Sequence, residues 1–227
     1  MAQAILAPAL FRFLKDLSAN NDRAWFEANR ARYEEELLDP ALEFIEAFAP
    51  HLRKISSHFV AAPRRSGGSL FRIHRDVRFS KDKSPYKTNT GIQFRHEQAK
   101  DVHSPGFYLH LEPGSSFAAV GIWHPDSNAL TAIRDTIVES PNKWKAALGE
   151  PFGSTYRLGG DALVRPPSGY DREHPLIDDL KRKDFIGVKE IPDKRVTSEK
   201  FLLEYSAMCR AAGKFMRFLC EAVGVPF

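Results

Sequence analysis

The chain has 227 residues, of which 43% are hydrophobic and 11% aromatic, and its formal net charge is +4. This composition is ample for a packed core and predicts a soluble globular protein. No run approaches the roughly 18 apolar residues of a membrane-spanning helix, and the opening residues lack the basic start of a secretion signal, so we expect a cytoplasmic protein.

Helical spacing of apolar residues dominates the N-terminal quarter of the chain. It predicts a first helix that stops near Asn20 and a second that begins there, capped by Asn20 or Asn21. The pair Asp39-Pro40 predicts a further helix, with Asp39 as its cap and Pro40 in the first position. Residues 63–69 then form a basic, glycine-rich loop.

After this loop the apolar period changes from 3.6 to 2, which predicts strands. We expect four of them to pair as an antiparallel sheet: Leu70–Phe79, Gly91–Arg95, Gly106–Glu112 and Phe117–Trp123. Helices are predicted at Asp126–Ser140, at Pro141–Leu148, after His174-Pro175 and at Ser198–Val223, with one more strand at Phe185–Ile191. Because no linker or repeat divides residues 1–227, the prediction is a single α+β domain, a central antiparallel sheet flanked by N-terminal and C-terminal helices.

The two cysteines, Cys209 and Cys220, lie eleven residues apart on the last predicted helix. That spacing is about 16 Å of helix rise, whereas a disulfide needs Cα atoms about 5.5 Å apart. We therefore expect two buried thiols that do not bridge each other, and no zinc or redox motif.

Positive charge is concentrated between Pro63 and Lys100. This segment has ten Lys and Arg residues against three Asp and Glu, whereas the rest of the chain has 23 against 26. A local field of one sign attracts anions, and the guanidinium group of arginine matches phosphate or carboxylate.

Strand alternation would divide residues 70–79 between two faces of the sheet. A core face would carry Phe71, Ile73, Arg75, Val77 and Phe79, and a polar face would carry Leu70, Arg72, His74, Asp76 and Arg78. Since a buried unpaired charge is costly, we expect Arg75 to pair with a carboxylate or to lie at the mouth of a pocket. The polar face would continue onto the neighbouring strands through Gln93, Arg95, Tyr108, His110 and Glu112.

These features favour a pocket that binds a small ligand bearing a phosphate or a carboxylate, with no cofactor. Arg72, Arg78, Lys83 and Lys87 would contact the anion, Arg75 and Asp76 would organise the site, and Tyr86 and Tyr108 would flank the ligand. The predicted ligand-binding set is completed by Asp82, in the polar loop of residues 80–88 that follows the strand. No recognisable arrangement of nucleophile and base indicates whether a reaction follows binding.

Two alternatives stay open. The basic segment with its interleaved aromatic residues is also typical of nucleic-acid binding, although alternation would place Phe71 and Phe79 in the core, away from bases. The spacing His74-x-Asp76 and His110-x-Glu112 would place four potential ligands on one face, as in a metal-dependent enzyme. Against a metal, Arg72 and Arg78 flank the first pair with positive charge.

The segment Arg72-x-x-Arg75-Asp76-x-Arg78-Phe79, followed by Asp82-Lys83-x-x-Tyr86, resembles the signature of a bacterial and fungal family known as domain of unknown function 2461. Further landmarks that match are Asn20-Asn21-x-Arg23-x-Trp25-Phe26, Pro85-Tyr86-Lys87-Thr88, Tyr108, Pro125, Arg134, Gly169-Tyr170, His174-Pro175 and Leu180-Lys181. The resemblance implies one compact unit of about this size and marks the signature residues as a shared core. It implies no activity.

Overall fold

Six antiparallel strands form one sheet in the computed structural model, which describes residues 4–99 and 103–227. The strands are β1 (Phe59–Val60), β2 (Thr90–His96), β3 (Gly106–Leu111), β4 (Phe117–Ile122), β5 (Arg157–Gly159) and β6 (Phe185–Glu190). Their order across the sheet is β1-β2-β3-β4-β6-β5, so β6 pairs with β4 and leaves the short β5 at the edge.

Helices precede and follow the strands, as predicted. Those before the main strands are α1 (Pro8–Ala19), α2 (Arg23–Ala28), α3 (Arg30–Tyr33), a π-helical turn (Glu34–Leu38) and α4 (Asp39–Ile55). Those after β4 are α5 (Ser127–Glu139), α6 (Pro141–Leu148), α7 (Phe152–Thr155), α8 (Ile177–Leu180), α9 (Asp193–Val196), α10 (Phe201–Ala211) and α11 (Gly213–Ala222). The predicted α+β class, with a central antiparallel sheet, is confirmed. None of the described helices is long and apolar enough to cross a bilayer.

One face of the sheet carries the core. Its fully buried residues alternate along the strands: Ile92, Phe94, Phe107, Leu109, Leu111, Ala118, Val120, Ile122 and Phe185. Phe48 of α4 packs on Phe94 with ring centroids 4.8 Å apart, and Tyr205 of α10 lies 4.9 Å from Phe48. Trp144 of α6 meets Phe185 edge-on at 5.9 Å. Burial of each such side chain contributes about 1.5–3 kcal/mol, so these contacts fix which face the helices cover.

The opposite face of the sheet carries half-buried side chains. Strand register places Gly91 and Gln93 of β2 across from His110 and Tyr108 of β3 on this face. It continues through Phe117 and Ala119 of β4 to Val188 of β6. We call it the open face.

The predicted strand at Leu70–Phe79 is wrong. Only two isolated bridges form there, Leu70 with Ile92 and His74 with Tyr86. The segment follows β2 briefly, where the Phe71 amide donates to the Gly91 carbonyl, and then turns away to pair with residues 85–87. The Arg75 amide donates to the Pro85 carbonyl, but proline has no N–H to return the bond, so the ladder ends there.

The predicted core face of this segment is correct for Ile73 and wrong for Phe79. Ile73 is buried, whereas Phe79 is 95% exposed. Beyond the bridge at His74 no strand pairing extends to Phe79, so alternation no longer places its side chain. The aromatic ring is therefore free in solvent.

Two helix boundaries differ from the prediction near the N terminus. Asp22, and not Asn20 or Asn21, caps α2, because its carboxylate accepts from the Trp25 amide. Asn21 instead exchanges two hydrogen bonds with the backbone of Tyr86, at 3.0 and 3.1 Å. Asp39 has helical backbone angles and continues directly from the π-helical turn, so it caps nothing.

The last predicted helix is divided into α10 and α11 at Ala212 and Gly213. Cys209 and Cys220 consequently lie on different helices. Both are buried and free, as expected. Burial raises the pKa of both thiols, to about 12 for Cys220.

Candidate functional site

A depression of about 540 Å³ lies on the open face of the sheet. Most of its lining is apolar or aromatic: Phe71, Gly106, Tyr108, Phe117, Ala119, Val120, Gly121, Trp123, Ile186 and Val188, together with the amide of Gln93. A concave, mostly apolar surface with a few polar groups is the usual form of a small-molecule site. We call it the sheet depression.

Glycines on the open face leave room for aromatic rings and for the neighbouring strand. A Cβ atom at Gly91 would stand 2.5 Å from the Tyr108 hydroxyl and 2.9 Å from the Phe71 ring, so only glycine leaves room for both. Gly121, at φ +120°, has a backbone conformation that residues with a side chain rarely adopt. A Cβ atom there would clash with the Phe185 carbonyl oxygen of β6. The glycines therefore shape the floor of the depression.

Two cations stand at the edge that Phe71 forms. The Nζ atom of Lys87 lies 5.5 Å from the centroid of the Phe71 ring, a cation–π contact. Burial lowers the pKa of Lys87, and the nearby charge of Arg72 lowers it further. Neither Arg72 nor Lys87 forms an ion pair within residues 4–99 and 103–227. This edge therefore has excess positive charge.

A chain of hydrogen bonds runs along β3 on the open face. The Tyr108 hydroxyl lies 3.0 Å from Nδ1 of His110, and Nε2 of His110 lies 3.1 Å from a carboxylate oxygen of Glu112. The His110 ring is stacked on Phe117, with centroids 4.6 Å apart. Burial raises the pKa of Tyr108 to about 12, and the charge of Glu112 contributes to the rise, so the phenol stays protonated at neutral pH.

The remaining predicted charges pair with one another in the loop after Arg72. Arg75 forms an ion pair with Asp82, which confirms the expectation that it has a carboxylate partner. Arg78 pairs with Asp76 at 2.6 Å, and this hydrogen bond lowers the pKa of Asp76 to about 2. Lys83 donates to the Val77 carbonyl at 3.0 Å. These contacts hold the loop in shape and neutralise two of its arginines.

Tyr86 lies in the core and away from the loop charges. Its ring is buried and stacked on Phe26 of α2, with centroids 4.0 Å apart. His74 packs on the same two rings, at 5.2 Å from Tyr86 and 6.2 Å from Phe26. Of the predicted ligand-binding residues, Tyr108 lines the sheet depression, Lys87 lies over Phe71 at its edge, and Arg72 is close enough to Lys87 to affect its charge. The other predicted ligand-binding residues lie in the loop or beneath it.

The four residues of the metal hypothesis form no common cluster. Within the part of the chain that the structure describes, no three His, Cys, Asp or Glu side chains are placed to hold a metal ion. His110 and Glu112 are hydrogen-bonded to each other, whereas His74 packs on Tyr86 and Asp76 pairs with Arg78.

Sequence reasoning missed most of the lining of the sheet depression. Phe117 and Ala119 of β4 and Ile186 and Val188 of β6 lie on the open face, where a solvated sheet would carry polar residues. The available signal was that these strands have apolar residues at consecutive positions, which places apolar side chains on both faces of the sheet. Alternation predicts Phe71 on the core face, but its ring lies against Tyr108, with ring centroids 5.9 Å apart.

A second cavity, of about 340 Å³, lies at the end of the sheet where β4 leaves it. His124 lines it, and Asp184, 1% exposed, holds this residue in place. The Asp184 carboxylate accepts from the His124 amide and from the Asp161 amide, each at 2.7 Å, and lies 2.8 Å from Nδ1 of the His124 ring. These bonds hold His124 at φ +47°, an uncommon value for a residue with a side chain.

Comparison with protein families gives a match that covers most of the chain. The family described as conserved hypothetical protein (DUF2461) matches residues 9–218. The chain belongs to this family. The match confirms the expected family, which carries no established function, and the single-domain organisation stays a prediction. No curated protein and no solved structure matches.

Proposed function

We propose that the sheet depression binds a small organic anion, whose apolar body lies on the floor and whose carboxylate or phosphate contacts Lys87 and Arg72. The observation that carries the proposal is the position of these two cations. They adjoin each other, form no ion pair among the described residues, and stand beside Phe71, which lines the depression. The charge of Arg72 also reaches Asp76, whose carboxylate is already paired with Arg78.

The floor supports an apolar ligand body. Phe117, Val188 and Trp123, which is half-exposed, present apolar surface to solvent there. A ligand that removes about 100 Å² of such surface from water gains about 2.5 kcal/mol. This gain alone gives weak binding, so a charged contact is needed for useful affinity.

The edge of the depression supports the anion. Arg72 and Lys87 repel each other, and an anion between them would remove that repulsion and form charge-assisted hydrogen bonds. Arg75 and Arg78 already have Asp82 and Asp76 as partners. We infer that these two pairs position the loop, and that Arg72 and Lys87 meet the ligand.

Titration calorimetry with matched compounds tests this function. We expect 3-phenylpropionate and phenyl phosphate to bind, and both the uncharged 3-phenylpropan-1-ol and inorganic phosphate to bind more weakly. Arg72→Gln and Lys87→Met should each weaken binding of the two aromatic anions about 5- to 10-fold.

Arg12→Gln and Lys54→Met serve as controls, because they remove the same charges from exposed helical positions on α1 and α4. Equal binding of the alcohol and the carboxylate, or equal losses in the control variants, would contradict the assignment of the anion to Arg72 and Lys87. Absence of binding by all four compounds would reject the function.

A second candidate, nucleic-acid binding, is favoured by one observation. Phe79 is 95% exposed, and the Arg78 guanidinium lies 5.9 Å from its ring, so an aromatic and a cation are presented together on a loop with Lys81 and Lys83. Such a pair can stack on a base. Mobility-shift assays test this candidate with single- and double-stranded oligonucleotides at low salt, and Phe79→Ala is the comparison. Binding that requires Phe79 and weakens steeply with added salt supports nucleic-acid binding.

A further inference from the structure

Two hydrogen-bonding side chains lie next to each other on the floor of the sheet depression. Gln93 of β2 and Tyr108 of β3 are direct partners in the strand register, and both line the depression. Gln93 is 9% exposed, and its Oε1 atom accepts no hydrogen bond within the described chain. An amide oxygen buried without a donor costs about 1–3 kcal/mol. The floor therefore holds an acceptor that has no partner and that is covered in the observed orientation of the amide.

The hydrogen bonds along β3 determine which role Tyr108 has toward a ligand. An ionised carboxylate only accepts, so the contact of Glu112 with His110 requires a proton on Nε2. In a neutral ring Nδ1 is then the acceptor, and the Tyr108 hydroxyl donates its proton to it. The lone pairs on the Tyr108 oxygen remain for another donor. Stacking of His110 on Phe117 keeps the ring in the plane that this arrangement needs.

From these two acceptors we infer that the ligand is a hydroxylated organic acid, whose hydroxyl group donates to Tyr108 or Gln93 while its anion meets Lys87 and Arg72. The inference rests on the proposed function and adds the chemical class of the ligand to it. The terminal amide of glutamine rotates readily, which lets Oε1 turn towards a donor in the depression. An ammonium donor is disfavoured, because no described acidic residue lines the depression and two cations stand at its edge.

Calorimetry with matched pairs tests the hydroxyl group separately from the anion. The probes are 3-phenylpropionate and its 2-, 3- and 4-hydroxyphenyl analogues. We expect at least one hydroxylated isomer to bind the wild type about 3- to 10-fold tighter than the parent, the gain of one net hydrogen bond. In Tyr108→Phe or Gln93→Leu, with folding verified by thermal unfolding, this preference should fall to below about twofold.

The outcomes distinguish the two proposals. A parent compound that binds with no preference for any hydroxylated isomer overturns the hydroxyl assignment and leaves the anion site intact. No binding by any of the four compounds or by phenyl phosphate overturns the proposed function and this inference with it. A preference that persists in both variants also overturns the assignment.

The tautomer of His110 gives a second test that needs no ligand. In ¹⁵N-labelled protein at pH 7.5, with His110→Gln used to assign the signals, we expect the pattern of a neutral ring protonated on Nε2. A ring protonated on Nδ1, or on both nitrogens, would make Tyr108 an acceptor from His110 and a donor to the ligand. That result would overturn the assignment of Tyr108 as acceptor and leave Gln93 alone in that role.

Discussion

Removal of the Asp184 carboxylate should be among the most destabilising single changes in this protein. The side chain is 1% exposed and accepts two backbone hydrogen bonds at 2.7 Å, from His124 after β4 and from Asp161 after β5. In Asp184→Ala both N–H groups lose an acceptor that is itself 1% exposed. Because each buried unsatisfied donor costs about 1–3 kcal/mol, we expect a loss of about 3–5 kcal/mol in the free energy of unfolding.

Two further variants, one at Asp184 and one at His124, separate the contributions of the backbone and ring contacts. Asp184→Asn keeps one acceptor oxygen and places an NH₂ group against the other donor, so its loss should be smaller than that of Asp184→Ala. His124→Ala removes the ring contact at 2.8 Å and keeps both backbone bonds, so it should be the mildest of the three. Asp178→Ala is the matched control, because its carboxylate side chain is 91% exposed and its pairing with Lys181 is worth at most about 1 kcal/mol.

Urea unfolding followed by tryptophan fluorescence measures these free energies, and thermal unfolding should show a fall of about 6–15 °C for Asp184→Ala. The reasoning is refuted if Asp184→Ala loses less than about 1 kcal/mol, which would mean that its backbone donors find other acceptors. A His124→Ala variant as unstable as Asp184→Ala would refute the claim that the two backbone hydrogen bonds, and not the ring contact, account for most of the lost stability.

Two more predictions concern a glycine of the sheet and the thiols. Gly91→Ala should destabilise the protein by about 1–3 kcal/mol and weaken binding of the aromatic anions, because its Cβ would displace Tyr108 and Phe71. An alanine variant as stable as the wild type in urea unfolding would contradict the packing described. Cys209 and Cys220 should react with a thiol reagent at pH 8 only as fast as the chain unfolds, since both are buried and burial raises the pKa of both thiols. Addition of urea should expose two thiols per chain. Rapid reaction of the native protein would be inconsistent with their burial.

Local patterns in the sequence determined most of the elements. The strands at β2, β3, β4 and β6 and the helix α5 agree with prediction to within one or two residues. Periodicity and capping depend on neighbouring residues, which the sequence shows directly. The family also follows from the order of residues along the chain.

Tertiary structure decided which charges are available at the site. The basic segment is visible in the sequence. Folding of the loop determines which of its cations form ion pairs, because it brings Asp82 to Arg75 and Asp76 to Arg78. The same holds for Phe79, whose exposure depends on where pairing with residues 85–87 ends.

The sheet depression itself arises from strand register and from β6 lying beside β4. Gln93 meets Tyr108, and Ala119 meets Val188, only because strands far apart in the chain pair at these positions. Alternation along one strand assigns each residue to one of two faces, but it does not say which face the helices cover or how neighbouring strands align. Contacts between distant segments determine both the covered face and the alignment of the strands. The sequence alone therefore indicated a positively charged region, whereas the apolar floor beside it could be recognised only in the folded structure.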